Sequence, residues 1–267
     1  MASVGPIDWL LRRDRMIVGG TLLAMTFLAW GYFLREAHAM TITGACCCAG
    51  LKMSGPDVRA WSSATLLPLF LMWTEMMVAR MLPSAAPMVL TFAAVNRKRK
   101  ERSVPAVPAF LFLSGYLAVW TLFSVVAALG QWVLHGFSLL SPQMSSTNAW
   151  LGAGLFVTAG IFQWTPLKKS CLEHCRSPLA FLMTSWREGA AGAFMMGFNH
   201  GVWCTGCCWI LMLLLFAVGV MNVAWVAALT LLVVMEKVVP ARFQTGKIVG
   251  VVLILFGVWI LVRVWAG

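Results

Sequence analysis

The chain has 267 residues, 61% of them hydrophobic and only 11% charged. Soluble domains run at about 45–50% apolar and about 25% charged, so a water-solvated core is excluded and the bilayer is the natural solvent. The net charge of +11 sits in short basic runs between apolar stretches, not in a groove with interleaved aromatics, which argues against nucleic acid as a partner.

A membrane helix needs about 20 mainly apolar residues. Seven stretches are candidates: 16–34, 64–95, 108–134, 148–165, 189–218, 222–236 and 248–265, the sixth of them short. Met1 to Asp14 is mixed, and the apolar run after it is long and lacks a small-residue cleavage site. It reads as a first membrane helix, not a cleaved leader. The segment 35–63 then carries Cys46-Cys47-Cys48, near His38 and Met40. Adjacent cysteines pair poorly with each other, so this run reads as a point of metal capture or hand-over, or as packing.

The second span carries Met72-Trp73-Thr74-Glu75-Met76-Met77-Val78-Ala79-Arg80-Met81-Leu82-Pro83. Glu75 lies eleven residues in from one end, about 16 Å at 1.5 Å per residue. A carboxylate at that depth is expensive unless it is paired or metal-bound. Arg80 in the same helix is a candidate to neutralise it, although five residues is not an ideal helical spacing for a pair. Pro83 and Pro87 each remove a backbone hydrogen bond, so this helix is expected to be kinked and packed against the bundle there.

After the fourth span comes a connection with Lys168, Lys169, Cys171, His174, Cys175, Arg176 and Arg187. Its Cys-x-x-His-Cys order is not the haem attachment signature, because the His precedes the second Cys. Metal binding, a redox pair and packing all stay open for it.

The fifth span holds the strongest constellation, from Met196 through Asn199-His200, Cys204 and Cys207-Cys208 to Met212. Residues four apart share a helix face. Met196, His200, Cys204, Cys208 and Met212 therefore form one stripe, with Cys207 beside it. Thiolate and thioether select Cu(I), zinc or iron–sulfur, and imidazole suits copper, zinc and iron. The plainer reading is that buried Cys and Met fill space and that polar residues hold helices together. An ionisable His among three Cys on one helix favours a site. The candidate ligands are His200, Cys204, Cys207, Cys208, Met196 and Met212, with Glu75 and Met76 from the second span at a similar depth. The ion expected is copper, ahead of zinc or iron. In the sixth span, Glu236 and Lys237 fall near the end, where an interfacial ion pair is the first expectation.

Basic residues fall in alternate connections: Arg12, Arg13 and Arg15; the run Arg97 to Arg102; Lys168 to Arg187; and Lys237, Arg242 and Lys247. Segments 135–147 and 219–221 carry none, while 35–63 blurs the pattern with Arg35, Lys52 and Arg59. The positive-inside rule then gives an N-in, C-out chain. The expectation is one all-α domain over residues 1–267, a polytopic transmembrane helical bundle of about seven spans. No nucleophile elbow, P-loop, zincin motif or dinucleotide turn is present.

These motifs carry a resemblance. Met72-Trp73 through Met81-Leu82-Pro83-Ser84 with Pro87, the run Pro166-Leu167-Lys168 with Cys171 and His174-Cys175, and the block His200-Gly201, Cys204, Gly206-Cys207-Cys208-Trp209 to Glu236-Lys237 stand out. Together they resemble a bacterial family of predicted metal-binding integral membrane proteins, long listed as a domain of unknown function. Arg80 stands where that pattern usually has a methionine. The resemblance implies an integral protein of the bacterial inner membrane that binds metal; it supplies no reaction.

Three functions compete. The first is copper handling or transfer through soft sites, with the bilayer and a partner membrane subunit or metallochaperone as partners. The second is a copper-dependent membrane oxidase or monooxygenase, or a subunit of one, which needs a fixed site with an open position. The third is a non-catalytic subunit or assembly factor of a larger membrane complex. With only 4 His in the chain, a large all-His copper or haem site is disfavoured.

Overall fold

The structure is a computed structural model that describes residues 6–43, 65–100, 107–136, 149–220, 222–240 and 243–266. For 6–15, 39–43, 100 and 135 it describes the backbone alone. The Cys46–Cys48 run lies outside the described residues.

Among the described residues there are nine helices and no strand: α1 Pro6–Thr43, α2 Leu66–Lys100, α3 Ala109–Gly136, α4 Ala149–Phe162, α5 Pro166–Arg176, α6 Pro178–Ser185, α7 Gly189–Val218, α8 Val223–Val238 and α9 Thr245–Ala266. Five of them contain stretches long and apolar enough to cross a membrane: 16–38, 66–99, 109–134, 189–218 and 245–266. That marks a membrane protein. Helices close every internal backbone hydrogen bond within themselves, which is why hydrocarbon tolerates them. The seven expected spans correspond to these five plus α4 and α8.

The last two are short. At 1.5 Å per residue, the 14 residues of α4 and the 16 of α8 reach about 21 and 24 Å, less than the roughly 30 Å of a hydrocarbon core. α8 starts on Asn222, whose side chain accepts from the Trp225 amide, after Gly219 ends α7 at φ 98°. A left-handed φ of that kind suits glycine, which has no Cβ to clash.

The connection after α4 is a correction. Residues 166–185 form α5 and α6 instead of an open loop. Thr165 caps α5 by accepting from the Lys168 amide, and Pro166 fits the first turn, where its missing N–H costs nothing. α5 is amphipathic and buries Lys168, Cys171, Leu172 and Cys175, packing them against α7.

α2 stays helical through Pro83 and Pro87. The closest seam joins α3 and α7. A Cβ on Gly197 would sit 1.8 Å from the Phe112 carbonyl oxygen, and one on Gly115 would sit 2.0 Å from that of Phe194. Small residues let the two backbones touch, the usual means of helix association in lipid. This seam, with α2, α5 and α8 around it, sets the position of the sulfur-bearing face of α7.

Candidate metal centre

Cys204 is at the centre. It is fully buried on α7, and four elements converge on its sulfur. Lys237 Nζ, from the end of α8, donates to Cys204 Sγ at 3.0 Å and to Ser84 Oγ of α2 at 2.9 Å. Tyr116 Oη of α3 lies 3.2 Å from the same sulfur and also donates to the Met81 carbonyl at 3.2 Å. Cys175 of α5 interacts with Cys204 and Cys207 through its thiol, which holds its pKa well above the ordinary thiol value; burial adds to this. Cys171, one turn earlier on α5, is pushed up mainly by burial, with Cys207 contributing. Its sulfur packs over Gly206, where an added Cβ would stand 2.9 Å away.

Five cysteines, 171, 175, 204, 207 and 208, are thus free, buried and gathered on two facing helices. The thiols of Cys207 and Cys208 both donate to the Cys204 carbonyl, at 3.0 and 3.1 Å. In that pose both are turned toward backbone. Among the described residues no three His, Cys, Asp or Glu side chains are already arranged to hold a metal ion. Chelation therefore requires these thiols to lose their protons and rotate off the carbonyl.

His200 lies one turn below Cys204 in a box of rings. Its centroid is 5.5 Å from Tyr116, 5.7 Å from Phe181 and 6.2 Å from Phe112. It is 1% exposed, and neither Nδ1 nor Nε2 has a hydrogen-bond partner. A buried polar group without a partner is costly, so this imidazole calls for a ligand or a functional reason.

The remaining candidates separate. Met212 Sδ accepts from Arg80 Nη1 at 3.0 Å, and Met77 Sδ accepts from Arg80 Nη2 at 3.3 Å. The carbonyl of Met76 takes Arg80 Nε at 3.1 Å. Arg80 is fully buried and turned to these groups, so in place of the candidate Glu75–Arg80 pair stands a guanidinium on two thioethers. Glu75 is only half-buried and faces α1, where Glu36 and Tyr32 are its electrostatic neighbours. Met196 sits at the other end of the stripe, where its sulfur accepts from the Arg187 amide at 3.4 Å. Glu236 makes the expected kind of contact, an ion pair, but with Lys168 and inside the protein, at 2.7 Å with both side chains 2% exposed.

Sequence reading missed Tyr116 and the role of Lys237. Tyr116 is one of two tyrosines in the chain and sits in a span with no other chemical signal. Lys237 looks like a member of a basic loop until α8 is seen to run through it to Val238.

A family model described as PpoB2, copper chaperone, matches residues 70–260. The chain belongs to the PpoB2 copper chaperone family. No curated protein and no solved structure matches it. The PpoB2 match takes in α3 to α8 whole and most of α2 and α9, hence every group around Cys204. With the five long apolar helices, membership makes this a copper-related membrane protein.

Proposed function

We propose that this chain is a multi-pass copper chaperone of the bacterial inner membrane. It holds Cu(I) as cargo on the thiol cluster centred on Cys204 and hands it to a partner subunit or metallochaperone. The observation that carries this is the gathering of five buried, unbridged cysteines of α5 and α7 into one cluster. Soft thiolates select Cu(I). Cys204, Cys207, Cys208 and Cys175 supply the thiolates, and the unpartnered imidazole of His200 lies one turn away on the same helix. Lys237 and Tyr116 are placed to offset the negative charge that a dithiolate copper complex carries. Met76, Met196, Met212 and Glu75 lie outside this cluster and serve at most as stations along a path.

A second reading, a copper-dependent oxidase or monooxygenase subunit, draws on His200 alone. A fixed site with an imidazole ligand and an apolar surround would meet the needs of that chemistry.

The test is elemental analysis and competition with a Cu(I) chelator on purified protein in detergent. Wild type should retain bound, EPR-silent copper, while Cys204→Ala and Cys208→Ala lose it and His200→Ala weakens it. Wild-type copper in all three variants would remove the site. An EPR-active Cu(II) centre lost with His200→Ala would favour the oxidase reading.

A further inference from the structure

The thiol cluster has a polar doorway. A cavity of about 800 Å³ opens where α5, α8 and the start of α9 meet. Its lining includes Lys168, Lys169, Glu173, Arg176, Lys237 and Lys247; with Glu236 neutralising Lys168, four cations remain against the one carboxylate of Glu173. That volume lies in the range of small-molecule sites. Charge beside apolar helices persists where it lines a water-filled space. This cavity lies at the ends of α4 and α8, the two short helices.

Lys237 connects the cavity to the cluster. It lines the cavity while its ammonium reaches inward to Cys204 Sγ. Cys175 is the cluster cysteine on the same helix as the cavity residues Leu172, Glu173 and Arg176. The wall between them is fixed. Lys168 is held by Glu236 and by Gln163, and Arg176 Nε donates to the Glu236 carbonyl at 2.6 Å. Lys169 and Lys247 are exposed and contribute positive field at the mouth.

Resting on the copper-binding reading, we infer that this cavity is a docking vestibule for an anionic low-molecular-weight thiol complex of Cu(I), which delivers its metal to Cys175 and Cys204. The step is a ligand exchange. A bis-thiolate complex enters whose copper–dithiolate core carries charge −1, and the Cys175 and Cys204 thiols each form a Cu–S bond as a carrier Cu–S bond breaks. Each of their protons goes to one departing carrier thiolate, and two carrier thiols leave. Copper stays Cu(I), and the core charge is −1 before and after. Lys237 moves from the single sulfur to the new anionic centre. Free aqueous Cu⁺ would be repelled by the net positive lining, whereas an anionic complex is drawn in; such focusing raises on-rates by about 10- to 1,000-fold.

The experiment loads purified full-length protein, in neutral detergent, from Cu(I)–glutathione or from the complex of the cationic thiol cysteamine. Copper uptake is followed by Cu(I)–thiolate absorbance. Wild type should load about tenfold faster from the glutathione complex. That preference should shrink as salt screens the field. Lys169→Glu/Lys247→Glu should slow glutathione loading about tenfold, lose the preference, and reach the wild-type final copper load. Equal wild-type rates from both carriers, or a preference insensitive both to charge reversal and to salt, would overturn the vestibule while copper binding stands. If the double variant holds no copper, the salt dependence of wild type decides. No copper uptake from either carrier would bring down the copper reading and the vestibule together.

Discussion

Arg80 is fully buried, and it donates to two thioethers and one carbonyl, not to a carboxylate. Thioether sulfur is a weak acceptor. A charge so poorly compensated adds little to stability, and exchanging buried ionic groups for apolar ones of similar volume is often neutral or stabilising by about 1–4 kcal/mol. Arg80→Met keeps the length and packing while removing the charge. Its melting temperature in detergent should therefore equal or exceed wild type by a few degrees, at about 2–4 °C per kcal/mol for a chain of this size. Arg80→Ala, which leaves a void between Met77 and Met212, should melt lower. Destabilisation by both variants would mean that the guanidinium itself holds the fold at this point.

At the level of the elements, function depends on how closely α3 and α5 approach α7. Tyr116 reaches Cys204 because the α3–α7 seam lets backbones touch at Gly115 and Gly197. A methyl at Gly197 meets backbone, which cannot swing aside, so Gly197→Ala should cost about 3 kcal/mol, the upper end of overpacking. Gly130→Ala, on α3 with nothing within 4 Å of an added Cβ, should be silent by the same thermal assay. Gly206→Ala is a milder case, because the atom in the way is the sulfur of Cys171, which can rotate. Similar melting for Gly197→Ala and Gly130→Ala would discount the seam.

How much of this was legible follows from the same elements. The long apolar helices and the His200–Met212 stripe are written in composition and in a spacing of four, and both are local signals. The docking of α5 onto α7 is not local. Cys171 and Cys175 sit on a helix whose apolar face is only 11 residues long and is interrupted by Lys168, so the segment reads as a basic loop. Glu75 was placed by depth alone. Depth is shared by every residue at one level of a bundle, and the side of α2 that Glu75 occupies turned out to face α1. The PpoB2 membership adds copper to a sulfur site that spacing alone could not assign to one metal.

For the whole molecule, α8 is short and the short α5 lies beside its end, and something must tie the two together. Lys168 and Glu236 do so, joining α5 to α8 across 68 residues of sequence at 2.7 Å, with Arg176 on the carbonyl of Glu236. Glu236 precedes Lys237, so this pair also holds the residue that meets Cys204. Removing one partner strands a buried charge, which costs about 3–5 kcal/mol, whereas replacing both with apolar groups is often neutral. Lys168→Met and Glu236→Met should each destabilise the detergent-solubilised protein by about that amount, and the double variant should recover most of the loss. Unfolding measured in mixed micelles as a double-mutant cycle separates the pair from its surroundings. Copper retention adds the link to function, because each single variant frees the end of α8 and should loosen Lys237 from Cys204, while the double variant should restore it. Single variants within about 0.5 kcal/mol of wild type would show that the pair is solvated through the cavity and does not hold α5 and α8 together.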